Sequence, residues 1–191
     1  PMKPSSLLAI LTLVLPGAAL AADDNASAQS YFKSPQKGGF VLQSAGQIGF
    51  GPGGMLLISD PKSTSVVALD TGEAGPLQKL ANGADTMEAA LPKAAGAGSV
   101  IIVDMAANPA SGKIYFSVNG QPGNKPNLLA LAADGTVSKP DLAKATHVRM
   151  TLPSAENAQL RNVTDLAWGD HSVIVAGQSS EEFSNKIYQI P

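Results

Sequence analysis

The feature that most constrains this chain is a pattern that recurs three times along it. The copies span residues 46–72, 103–135 and 164–191. Each copy gives a short apolar strand, a tight turn, a second apolar strand, a polar loop and a third strand. When Phe50, Ala107 and Trp168 are aligned, the copies follow one another at spacings of 57 and 61 residues. Self-similarity at such a period is typical of repeat proteins.

The strands of the copies are rich in β-branched and large apolar residues. The second strands are MLLIS, KIYFSV and SVIVAG, and the third strands are SVVALD, NLLALA and KIYQI. Weaker fourth strands follow in PLQKLA and VSKPDL. Pro and Gly interrupt every window long enough for a stable helix, except DTMEAAL, which predicts a short helix in the Ala/Gly-rich insert at 80–98. We therefore predict an all-β fold of antiparallel strands.

The stretch GFGPGG, residues 49–54, matches the G-x-G-x-x-G spacing of dinucleotide-binding loops. That motif needs a helix after it, because the helix N-terminus holds the pyrophosphate. Here MLLIS follows, which is strand-like, and Pro52 has no N–H to offer an anion. We predict a hairpin turn between the first two strands of the copy, with glycine supplying positive φ.

Three- to four-stranded antiparallel units in series describe the blades of a β-propeller. The segment IGFGPGGMLLISDPKSTSVVALD resembles blades of NHL-type and gluconolactonase-like propellers, and the likeness extends loosely over 46–191. It implies a propeller portion over 40–191. Propellers typically have four to eight blades and this chain offers about three, so we expect a truncated (incomplete) propeller. The alternatives are a small open sheet or a subunit that closes by oligomerising.

The first residues are typical of an export signal. Lys3 provides a positive start, LLAILTLVL an apolar core and Ala19-Leu20-Ala21 a cleavage site, which predicts a secretory signal peptide over 1–22. The apolar run is short for a membrane span, so we expect no stable span after cleavage; a membrane anchor or a buried helix is the alternative. A flexible polar lead-in is predicted at 23–39. The protein is then exported, to the periplasm or outside the cell.

Composition excludes several classes of site. The chain has no cysteine, so an exported form has no disulfide framework and no thiolate metal site. Its formal net charge is −2, with no basic cluster. We expect no nucleic-acid partner, because that binding needs a positive surface.

In a blade arrangement, the loops between second and third strands emerge at one end, around a central funnel. Those loops carry oxygen-bearing side chains: Asp60, Asn119, Asn124, Gln178, Glu181 and Glu182, with Asn162 nearby. Carboxylate and amide oxygens suit Ca²⁺ or Mg²⁺, and the resemblance to gluconolactonase-like propellers implies a divalent ion there. Asp60, Glu181 and Glu182 are the candidate metal ligands, and the amide residues are candidates for a binding face. The positions do not match from copy to copy, which favours the alternative of a solvated charge pair at Glu181 and Glu182.

The remaining chemistry-bearing residues predict structural roles. The two histidines, His147 and His171, are far apart in sequence and lack the clustering that zinc requires. No G-x-S-x-G nucleophile motif accompanies them. Trp168 shares its position with Phe50, which predicts packing between blades; a stacking platform for a sugar is the alternative. No catalytic or cofactor-binding residue is predicted.

These observations favour a non-catalytic scaffold or binding module that presents loops on one face to a protein or carbohydrate partner. The alternative is a lactonase-like or sugar-oxidising enzyme with a divalent metal or a quinone in the funnel. Whether the chain is an enzyme stays open at this point, with the binding module favoured.

Overall fold

The computed structural model describes residues 26–80, 87–153, 160–180 and 184–191. The predicted signal peptide, with Glu181 and Glu182, lies outside the described residues. The strands are β1 (Gln36–Lys37), β2 (Ile48–Phe50), β3 (Met55–Asp60), β4 (Ser65–Asp70), β5 (Ser99–Ala107), β6 (Ile114–Gln121), β7 (Lys125–Leu131), β8 (Val137–Ser138), β9 (Thr146–Thr151), β10 (Leu160–Gly169), β11 (Ser172–Ser179) and β12 (Asn185–Ile190). The one helix among these residues is α1 (Met87–Ala95). No helix among the described residues is long and apolar enough to cross a membrane.

The described strands form three antiparallel sheets, none of which closes on itself. The first sheet has the order β1-β9-β4-β3-β2, the second β5-β6-β7-β8 and the third β10-β11-β12. The prediction of mostly β-structure in three antiparallel units is confirmed. Each unit begins with the predicted first, second and third strands of one sequence copy.

The three residues aligned in the sequence occupy corresponding places in the three sheets. Phe50 pairs with Leu56, Ala107 with Ile114 and Trp168 with Val173, each at the hairpin that joins the first two strands of a sheet. Counting from these pairs assigns every position in one sheet to an equivalent position in the other two.

The GFGPGG stretch is a hairpin, as predicted. A short 3₁₀ turn at Pro52–Gly54 joins β2 to β3, and the Gly51 N–H donates to the Met55 carbonyl at 2.8 Å. Gly53 has φ 62°, and a Cβ there would lie 2.1 Å from the carbonyl oxygen of Ala26. The glycine is therefore required by the turn and by the chain that packs on it.

The fourth strands differ from the prediction. VSKPDL contributes β8, which pairs with β7. PLQKLA has no strand in its described residues 76–80. The fourth position of the first sheet is instead filled by β9, which pairs with β4 after the chain has completed the second sheet. The sequence of β9, THVRMT, contains β-branched residues and alternates between polar and apolar side chains, which favours a strand. The described residues of PLQKLA are exposed.

The polar lead-in predicted at 23–39 is more structured than expected. Residues Ala28–Tyr31 form a 3₁₀ turn in which Ala28 is fully buried. Further along the segment, the two residues of β1 pair with β9. Burial of Ala28 and stacking of Tyr31 on Trp168 at 5.5 Å hold the segment against the first and third sheets.

The first sheet is packed on both faces, which explains why β3 is buried along its whole length. We call one side its front face, with Met55, Leu57, Val66 and Ala68, and the other its back face, with Leu56, Ile58, Val67 and Leu69. The front face packs on the third sheet, and the back face packs on the second sheet.

The three sheets stack with the same polarity. The second sheet meets the back of the first through Tyr115, which is equivalent to Leu57 and so belongs to a front face. The third sheet meets the front of the first through Val173 and Val175, which are equivalent to Leu56 and Ile58 and so belong to a back face. The order is therefore third, first, second, and front always meets back.

The two ends of this stack are finished differently. The back face of the second sheet, with Phe116 and Leu129, is covered by Leu91 of α1. The front face of the third sheet carries Ile174, Ala176 and Ile187, and none of these belongs to an apolar cluster of the described residues. Ile187 is 73% exposed.

Candidate functional site

Asp60 is the only predicted metal ligand within the described residues, and its carboxylate is committed to the fold. It is fully buried and accepts hydrogen bonds from the N–H groups of Gln43 and Ser44 and from the Ser44 hydroxyl, at 2.7–3.0 Å. The Arg149 guanidinium lies 3.6 Å from its second oxygen. Three hydrogen bonds and the charge of Arg149 hold this carboxylate, so Asp60 pins the 40–44 loop.

The other predicted residues do not converge on one funnel. Asn162 and Gln178 face each other across β10 and β11, both exposed, on the front face of the third sheet. Asn119 lies in β6 and Asn124 in the β6–β7 turn of the second sheet, where it accepts from the Gln121 amide. In the described ranges, no three His, Asp or Glu side chains come together as a metal site.

The histidines occupy different environments. His147 is buried in β9, beside the Phe40 ring at 5.3 Å, in the structural role predicted for it. His171 is exposed in the two-residue turn between β10 and β11, where both Asp170 and His171 have positive φ. Trp168, next to this turn, packs at the edge of the cluster between the first and third sheets. Packing between sheets is therefore confirmed for Trp168.

A polar cluster lies between the first and second sheets, and no sequence motif predicts it. Glu73, just after β4, accepts from Lys113 Nζ at 2.6 Å and Tyr115 Oη at 3.0 Å through one oxygen. Its second oxygen accepts from Asn108 Nδ2 at 2.9 Å and Ser111 Oγ at 2.6 Å. Four donors saturate this carboxylate, so the cluster acts as a clamp between two sheets rather than as a general base.

The electrostatics of the clamp follow from this geometry. Partial burial by itself raises the pKa of Glu73, but the hydrogen bonds from Lys113, Ser111 and Tyr115 and the lysine charge outweigh it, and the pKa lies below the ordinary value. Burial, followed by the Glu73 charge and its hydrogen bond, raises the pKa of Tyr115. Glu73 therefore stays ionised and Tyr115 stays a donor.

A repeated aspartate marks the first strand of the second and third sheets. Asp104 and Asp165 are equivalent, and each follows a β-bulge and accepts the N–H of its next residue at 2.8 Å. The other oxygen of Asp104 accepts the Ile48 N–H of the first sheet at 2.9 Å. Asp104 thus ties the edge strand of its own sheet to the edge strand of the neighbouring sheet.

The third-sheet aspartate makes no such inter-sheet bond among the described residues. Asp165 lies on the exposed front face, opposite Ala176, and its second oxygen is available there. At the equivalent position of the first sheet stands Gln47, whose buried Oε1 has no hydrogen-bond partner within the described chain. Among the described residues, the first and third sheets therefore lack the bond from an aspartate to a backbone N–H that joins the first and second sheets.

A cavity of about 520 Å³ lies between the front face of the first sheet and the third sheet. Among the described strands the third sheet has three and the first sheet five, and Val148 and Met150 of β9 line the cavity. Its walls are Tyr31, Phe32, Met55, Ala68, Val148, Met150, Trp168, Val173, Ile190 and Pro191, with Ser30, Lys33 and His171 among them.

Comparison with models of known protein families gives no match, and comparisons with curated proteins and with solved structures give none either. The resemblance to NHL-type and gluconolactonase-like blades stays a prediction from the sequence.

Sequence reasoning missed Glu73 and Asp104. The donors to Glu73 lie 35 to 42 residues further along the sequence, and no sequence motif connects them to Glu73. Asp104 had a signal, because VDMA and TDLA place an aspartate three residues before the aligned Ala107 and Trp168.

Proposed function

We propose that this chain is an exported, non-catalytic scaffold or binding module built from propeller-type sheets, with the front face of the third sheet as its partner-binding surface. The support is the equivalence of Asp104 and Asp165. Asp104 holds the neighbouring sheet through a backbone N–H, and Asp165 presents the same carboxylate on a face that is open in the described structure.

The chemistry of this face favours a protein partner over a carbohydrate. Its centre is aliphatic, with Ile174, Ala176 and Ile187, and its pairs place Asn162, Gln178 and Asn185 at one end. None of these described side chains is aromatic, so they offer no ring on which a sugar stacks. An aliphatic centre with a polar rim is the common anatomy of a protein interface.

A site-specific photo-crosslinker tests this proposal in cells of the native host. With p-benzoylphenylalanine at Ile187, we expect a discrete adduct with one protein, and we expect Asp165→Ala to lower its yield. The same crosslinker at Val41, which is 70% exposed but lies on the 40–44 loop, is the matched control and gives no such adduct. Identical adducts from both positions, or none from Ile187, would refute the assignment of this face.

The enzymatic alternative is tested separately by melting the purified chain with and without Ca²⁺ or Mg²⁺. A ligand that binds only the folded state raises Tm. A saturable rise would favour a metal-dependent enzyme, and an unchanged Tm is the result we expect.

A further inference from the structure

We infer that the cavity between the first and third sheets is a binding site for a small amphipathic anion, with an apolar body and a carboxylate or similar head group. This inference is independent of the proposed partner surface, because the cavity lies on the opposite, back side of the third sheet.

The walls suit an apolar body. Met55 and Met150 approach from the first sheet, and Val173 and Trp168 from the third. Methionine side chains are flexible and polarisable, which lets a site adapt to ligands of different shape. Tyr31 and Phe32 of the N-terminal segment form the cover, and a volume of about 520 Å³ is within the range of ligand pockets.

The charges of the lining favour an anionic head group. Lys33 and His171 are the two basic side chains among the lining residues, and both are exposed. No aspartate or glutamate of the described residues lines the cavity, although Asp and Glu outnumber Lys and Arg in the sequence, 15 to 13. Among the described residues, Lys33 Nζ has a single long contact, 3.5 Å to the main-chain oxygen of Pro191, the last residue of the sequence. It can therefore turn to a bound anion at little cost.

The site contains an intrinsic fluorescent probe, the indole of Trp168. Trp168 is the only tryptophan of the sequence, it lines the cavity, and its ring stacks edge-on against Tyr31. A ligand that enters displaces water from the indole, so tryptophan emission reports binding without a label.

The test is a titration of the full chain with sodium decanoate, below its micellar concentration, followed by Trp168 emission. We expect a saturable change. 1-Decanol, which has the same body without the charge, binds about fivefold more weakly, the factor that one exposed ion pair supplies. Decyltrimethylammonium, with the opposite charge, binds more weakly still.

Two variants locate the site. Lys33→Ala weakens decanoate about fivefold and leaves 1-decanol unchanged, while Lys125→Ala, on the second sheet, changes neither. Ala68→Leu fills the cavity and abolishes the response to both. Equal affinity for decanoate and 1-decanol, an unchanged affinity in Lys33→Ala, or no saturable change at all would each overturn the inference. Lys33 is exposed, so this variant tests the claim even where Ala68→Leu perturbs the fold.

Discussion

The two faces of the first sheet meet equivalent partners through different chemistry. Against the second sheet, the contact is clamped by Glu73, by Asp104 and by the edge-on pair of Phe50 and Tyr115 at 5.4 Å. Against the third sheet, the contact is apolar and contains a cavity, and the buried Gln47 Oε1 has no hydrogen-bond partner among the described residues. Two contacts with the same stacking geometry therefore differ in how firmly they are held, depending on the polar residues at their edges.

The largest expected effect comes from opening the clamp. Glu73→Ala leaves the hydroxyls of Ser111 and Tyr115 without their acceptor and the buried Asn108 amide with only its 3.3 Å bond to Thr71, and we expect the free energy of unfolding to fall by about 3 kcal/mol. Urea unfolding measures it. Glu88→Ala, on the exposed side of α1, serves as the control and stays within about 0.5 kcal/mol. A loss for Glu73→Ala no larger than that of the control would show that the clamp is not structural.

The equivalent aspartates give the next contrast. Asp104→Ala removes an acceptor from both Met105 and Ile48, and costs about 2 kcal/mol. Asp165→Ala removes only a local bond in an exposed strand, and costs less than about 1 kcal/mol. Chemical denaturation of the purified variants compares them. Equal losses would mean that the bond from Asp104 to the first sheet contributes nothing to the joint.

Packing can be compared at two alanines in equivalent positions. Ala130 is buried in the apolar cluster between the first and second sheets, so Ala130→Leu costs about 1–3 kcal/mol by overpacking. Ala68 lines the cavity, so Ala68→Leu is accommodated and costs less than about 1 kcal/mol. Thermal melting distinguishes the two. A larger loss for Ala68→Leu than for Ala130→Leu would contradict the position of the cavity between the first and third sheets.

The smallest expected effect is a pH dependence of the clamp. The pKa of Glu73 in the folded chain lies below the value of 4.5 that applies to the unfolded chain. Its contribution to stability is therefore complete above pH 4.5 and is lost as the pH falls through the folded-state pKa. The difference in unfolding free energy between the native chain and Glu73→Gln should shrink as the pH is lowered below 4.5. A difference that grows instead would reverse the sign of the shift.

The local features of this fold were predictable and the long-range ones were not. The GFGPGG hairpin, the register of Phe50, Ala107 and Trp168, and the short helix α1 all follow from spacing and residue type. The return of β9 to the first sheet does not, because THVRMT predicts a strand without naming its neighbour. The order of the sheets does not either, since every face that packs is aliphatic and alternation cannot say which face meets which.

The candidate sites divide in the same way. Asp60 was singled out as an oxygen ligand because it follows a strand, and the sequence gives no sign that the 40–44 loop supplies its donors. The cavity is lined by strands of two sheets, so it is a property of the assembled stack. Asn162 and Gln178 were predicted on a binding face and do lie together, because cross-strand neighbours follow from the hairpin register.

The central claim is that the third sheet packs by its back face on the front of the first sheet, which leaves its own front face open. The two sheets approach closely at Gly49, where a Cβ would lie 3.0 Å from the Leu166 Cδ1 methyl. We predict a strong nuclear Overhauser effect between the Gly49 Hα protons and that methyl group. Its absence, with cross-peaks from Leu166 to Phe116 or Val118 of the second sheet in its place, would contradict the account.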